Sequence, residues 1–140
     1  MRPLLVSLVL AAAGLAACTP ALTTPIDQIP KLTSLDDVMA NQATVADPQF
    51  AKIGQASYAD ADWAAFTTVA ERIQATSLKT EDFAGQVAKG KEEGFKEAAK
   101  KLGEKAKALG AAATAKDAAA ASAALKDMKD ACKDCHSRYR

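Results

Sequence analysis

Cys132, Cys135 and His136 place two thiols and an imidazole within five consecutive residues, Cys132-Lys133-Asp134-Cys135-His136, of a 140-residue chain. The chain has one histidine and three cysteines in all, so multi-histidine metal centres are excluded. On a helix, side chains at i and i+3 share a face. Paired thiols so placed could form a disulfide or exchange electrons as a redox dithiol in an oxidising compartment. A zinc site fits poorly, because the motif supplies three ligands and neither cysteine nor histidine is left nearby for a fourth. Covalent attachment of haem c uses all three groups. The thiols add to the two vinyl groups on one porphyrin edge, and the next residue presents an imidazole nitrogen to the iron. A haem-free chain with a Cys132–Cys135 disulfide remains the alternative from another functional class.

The elements that must position this motif are helical. After Pro30 no stretch alternates with period two, and the apolar residues recur at helical spacing. Ser34 with Asp37 predicts a capped helix start, followed by a stripe of Leu35, Val38, Met39, Gln42 and Ala46. Asp47-Pro48 predicts an interruption and a restart of that helix. A second helix from about Asp60 carries Trp63, Phe66, Ala70, Ile73 and Ser77, and residues 80–91 read as a longer connection. A third helix, residues 92–112, carries Phe95, Ala99, Leu102, Ala106 and Leu109. The fourth begins near Lys116 and bears a 4-3-4-3-4 seam of Ala121, Leu125, Met128, Cys132, Cys135 and Tyr139. These four helices predict an all-α, antiparallel four-helix bundle spanning residues 33–140. Only 5% of the chain is aromatic and residues 111–124 are alanine-rich, so the side chains alone make a thin core that a bound porphyrin would fill.

The chain opens differently. Arg2 precedes an apolar run from Leu4 to Ala17, too short to span a bilayer, which needs about 20 residues. Its end, Leu15-Ala16-Ala17-Cys18, resembles the bacterial lipoprotein box. That resemblance implies a signal peptide over residues 1–17 and a lipidated Cys18 on the periplasmic side of a Gram-negative membrane. Thr19, where an aspartate would retain the protein at the inner membrane, makes the outer membrane the favoured site. Residues 18–32, with Pro20, Pro25 and Pro30, read as a semi-extended tether.

The motif is followed by four residues, Ser137-Arg138-Tyr139-Arg140, on the last helix. This ending resembles the class II cytochromes c, the cytochrome c-prime family, whose four-helix bundles close with Cys-x-x-Cys-His, an aromatic and a basic residue. The resemblance implies one covalent haem c with His136 as proximal ligand. It also puts Arg140 near the haem on the proximal side, against the plainer reading of a solvated chain end. Family members differ at the sixth iron position. Low-spin members place a first-helix methionine there and transfer electrons, whereas five-coordinate members bind nitric oxide or carbon monoxide. Met128 lies on the helix of His136, displaced by about 12 Å along its axis, and Met1 falls within the signal peptide. Met39 therefore stands as the distal ligand implied by the low-spin members, or as a core residue. Trp63, Phe66 and Leu35 are candidate core or haem-wall residues.

Electron carriage needs no enzyme chemistry. With 18 basic and 17 acidic side chains the charge is nearly balanced, which argues against a nucleic-acid partner. The balance is uneven along the chain: residues 18–82 carry four basic and nine acidic side chains, and residues 83–140 carry thirteen and eight. Lysines from Lys89 to Lys107 form a solvated helix face or, around an exposed haem edge, a steering surface for an acidic partner. The expected partners are periplasmic or membrane redox proteins, the membrane itself through the lipid anchor, and a second copy of the chain, since bundles of this family often pair.

Overall fold

The computed structural model describes residues 24–140; the signal peptide, Cys18 and the first part of the expected tether lie outside the described residues. Four helices follow one another: α1 (Leu35–Phe50), α2 (Asp60–Glu81), α3 (Glu92–Ala115) and α4 (Ala118–Tyr139). They form the four-helix bundle that the spacing predicts. α2 and α3 pack most extensively, α3 and α4 next, while α1 and α4 touch only sparsely and leave a gap.

Local chemistry accounts for the helix ends. Ser34 Oγ accepts from the Asp37 amide at 3.4 Å, capping α1. The Ala59 amide donates to the Asp62 carboxylate at 3.0 Å at the start of α2. At the α3–α4 turn Lys116 adopts φ 51°, the left-handed region, and the Asp117 amide reaches back to the Ala112 carbonyl at 3.0 Å. Asp117 then caps α4, accepting from the Ala120 amide at 2.9 Å.

The core lies between the predicted stripes. Phe66, Ile73, Leu109, Leu125 and Met128 are all but fully buried. Gly103 and Gly110, weak residues for a helix interior, let α3 approach α2 closely. A Cβ at Gly103 would stand 3.3 Å from Ser77 Cβ, and one at Gly110 3.1 Å from Ala70 Cβ. A second cluster gathers Val38, Phe83, Ala84 and Phe95, with Leu35, Met39 and Tyr139 packed against it.

Three local expectations are corrected. α1 is not interrupted at Asp47-Pro48 but runs through Pro48 to Phe50. In the last turn a proline forfeits a single intrahelical bond, so the helix continues over it. The expected connection over residues 80–91 is shorter, because α2 extends to Glu81 and a 3-10 turn follows at Ala84–Gln86. Thr80 Oγ1 donates to the Thr76 carbonyl at 2.8 Å, giving this polar residue a helical partner. Finally, residues 24–31 are not a semi-extended tether. Ile26–Lys31 form a 3-10 helix, Ile29 is fully buried, and the Thr24 backbone is bound by Asn41 and Arg72.

Candidate functional site

The gap between α1 and α4 opens into a cavity of about 420 Å³, floored by Ile73 of α2 and by Ala99 and Leu102 of α3. Its α1 wall is a 4-3-4 seam of Met39, Ala43, Ala46 and Phe50, and its α4 wall carries Cys132, Cys135, His136 and Arg140. The helical spacing explains the convergence. Residues 129, 133, 136 and 140 fall at 4-3-4 intervals, so they face the cavity while the adjacent seam of Leu125 and Met128 faces the core.

Cys132 and Cys135 are half-buried and present free thiols. Burial pushes the Cys132 thiol up to about 11, helped by the neighbouring Cys135 and by Asp47. Burial also raises Cys135, assisted by Asp134 and opposed by Arg138. Both thiols therefore stay protonated and uncharged against the apolar wall at neutral pH. His136 is exposed at the cavity mouth, and its carbonyl accepts from the Arg140 amide at 3.3 Å in the last turn of α4. Met39 is half-buried, lining the cavity on one side and touching the second core cluster on the other.

Five residues singled out in the sequence, Met39, Cys132, Cys135, His136 and Arg140, thus line one cavity. Leu35, Trp63 and Phe66 do not. Leu35 packs in the second cluster, and Trp63 and Phe66 form an edge-to-face trio with Tyr58, at centroid distances of 4.9 to 5.8 Å. The lining residues that sequence reasoning missed are Ala43, Phe50, Thr80, Ala98 and Lys129. The first two could have been found by continuing the 4-3-4 spacing from Met39. Gln42, already on the α1 stripe, contributes a buried amide to the same wall, where its Nε2 donates to Thr80 Oγ1 at 3.3 Å.

This arrangement fits a covalently held porphyrin. The cavity is within the range of about 300–1,000 Å³ usual for cofactor and ligand sites, its walls are mainly apolar, and two thiols and an imidazole rise from one side of it. Charged groups, Asp47, Lys129, Lys133 and Arg140, also line it, where polar substituents of a ligand could be met. Among the described residues, no group of three or more His, Cys, Asp and Glu side chains gathers to hold a bare metal ion. No helix among them is long and apolar enough to cross a membrane.

The sequence profile of the family described as Cytochrome C' matches residues 32–140. No curated protein and no solved structure matches the chain.

Proposed function

Because this chain belongs to the cytochrome C' family of haem proteins, we propose that it is a membrane-anchored electron carrier of the low-spin, methionine-ligated kind. The observation that carries the reading is the meeting of Met39 and the Cys132–Cys135–His136 group across one apolar cavity. Bound there, haem c supplies an iron that exchanges single electrons. Cys132 and Cys135 hold the group through thioethers, and His136 offers an imidazole nitrogen from α4. Met39 offers its thioether from α1. A thioether from Met39 would favour a higher potential than a second nitrogen donor and would oppose ready gas binding. Ile73, Ala99 and Leu102 make the cavity floor apolar, Phe50 does the same for the α1 wall, and Arg140 adds a positive charge to the α4 wall that carries His136.

In this reading Cys18 carries the lipid, the bundle faces the periplasm, and the outer membrane is the favoured anchor site. Redox proteins of the periplasm or membrane are the partners. Those with acidic surfaces would meet the lysines of α3, of which Lys100, Lys101 and Lys107 are exposed. A second copy of the chain is a further partner under the same proposal.

An absorbance spectrum of the chain matured with haem tests the proposal. The expected result is a low-spin spectrum, with a weak long-wavelength band of iron–thioether bonding when oxidised. Met39→Ala converts it to high spin. A high-spin wild type that takes up carbon monoxide overturns Met39 ligation and makes the protein a gas binder. Absence of any Soret band overturns the haem reading and leaves the disulfide-bearing lipoprotein.

A further inference from the structure

His136 occupies the last turn of α4, the part of a helix that frays most readily because its final carbonyls lack intrahelical donors. Here that turn is clamped to the first turn of α3. Tyr139, three residues beyond His136, packs its ring edge-on against Phe95, at 5.4 Å between centroids and 84° between planes. Its hydroxyl lies over Gly94, where a Cβ would stand 2.6 Å from the oxygen and 3.8 Å from the ring Cζ. Only glycine admits the hydroxyl there. Lys91 Nζ donates to the Arg138 carbonyl at 3.1 Å, filling one of the orphan acceptors. Arg138 is paired in turn with Asp134, one turn back on α4.

We infer that Tyr139 is a positioning residue for His136: seated on Gly94 and Phe95, it keeps the terminal turn of α4 wound, so that the imidazole holds its place at the cavity mouth. The inference rests on the reading of His136 as an iron ligand. It adds a residue outside the cavity lining, since Tyr139 packs against the second core cluster and not in the cavity wall. The clamp also joins the two ends of the site physically. Met39 packs against the same cluster as Tyr139, so the α1 and α4 walls share one support.

The test is a urea titration of the haem-loaded chain with two probes, Soret absorbance for ligation at the iron and far-ultraviolet circular dichroism for helix. In wild type the two transitions coincide. In Tyr139→Ala, opening of the terminal turn becomes about tenfold more favourable, the scale of losing one aromatic pair. The Soret change then precedes the loss of helix. Gly94→Ala does the same, because its methyl displaces the hydroxyl. Tyr139→Phe, which keeps the ring, restores coincidence in the Gly94→Ala background. Phe66→Leu, in the core beyond the cavity, lowers both transitions together, as a merely structural lesion does. Coincident transitions in Tyr139→Ala, or no rescue of Gly94→Ala by Tyr139→Phe, overturn the inference while leaving haem binding intact. A wild-type chain that carries no covalent haem overturns the underlying reading, and this inference with it.

Discussion

The two thiols of the cavity can be interrogated before any haem is attached. Cys132 has its thiol pushed up to about 11 by burial. At pH 8 roughly one such thiol in a thousand is ionised, against about one in four for a free cysteine near 8.5. That lowers the thiolate population about 250-fold. A more basic thiolate is intrinsically the better nucleophile and recovers roughly a factor of 10 to 20 toward a disulfide reagent. Cys132 should therefore react about twentyfold more slowly than a peptide cysteine at pH 8, by ionisation alone. Its rate should climb close to tenfold per pH unit up to pH 10, where a peptide cysteine has already levelled off. Cys135, raised in the same direction by its own burial, should fall between the two. The assay uses a Cys18→Ser chain made without haem attachment, a small aromatic disulfide as reagent, and peptide mass spectrometry to separate the sites. The linkage has a definite sign. The folded thiol holds its proton to higher pH than the unfolded one, so this stabilising contribution is complete below about pH 8.5 and is lost as pH rises toward the folded value. The urea midpoint should accordingly fall between pH 9 and 11. Peptide-like rates at both cysteines refute the reasoning, because they mean that the apolar wall does not form around free thiols.

Two other expectations concern the first residues of the fold and the anchor. Asn41→Ala removes the side chain that accepts from the Thr24 amide at 2.9 Å and donates to Thr24 Oγ1 at 3.2 Å. At about 1 kcal/mol net per bond it should cost about 2 kcal/mol in urea unfolding and speed proteolysis within Ile26–Lys31, and a loss below about 0.5 kcal/mol contradicts it. Cys18→Ser should move the protein from the membrane fraction to the periplasmic extract, with an unchanged haem spectrum; retention in the membrane argues against lipid anchoring.

What was legible in the sequence is what depends on one helix at a time. The buried faces of α2, α3 and α4 follow their 3.6-residue period, and every apolar residue read onto the face of α3, from Phe95 to Leu109, is buried. Cys132, Cys135 and His136 stand out by spacing alone, and all three line one cavity. Features that depend on two helices meeting were harder to see. Phe66 and Phe50 are both aromatic and lie on adjoining helices, yet one fills the core and the other the cavity wall. Only the way α1 and α2 pack against their neighbours decides between them. Pro48 misleads because its effect depends on how much helix follows: two residues here. Residues 24–31, rich in proline and without period, gain their order from Asn41 and Arg72, which belong to other elements.

If Cys18 is lipidated as proposed, the Thr24 attachment limits how far the bundle can stand from the membrane. Six residue steps separate Cys18 from Thr24, a span of at most about 20 Å fully extended. α3, with 24 residues, is about 36 Å long, so the leash is shorter than the bundle it holds. With Cys18 lipidated as proposed, the bundle is held close to the bilayer by a leash that reaches the middle of its α1–α2 face. The α1–α2 face that grips Thr24 through Asn41 and Arg72 stays within one leash length of the lipid. Encounters with redox partners then become a lateral search in two dimensions at a limited elevation. A partner whose electron port sits much farther from the bilayer is excluded by reach, whatever its affinity.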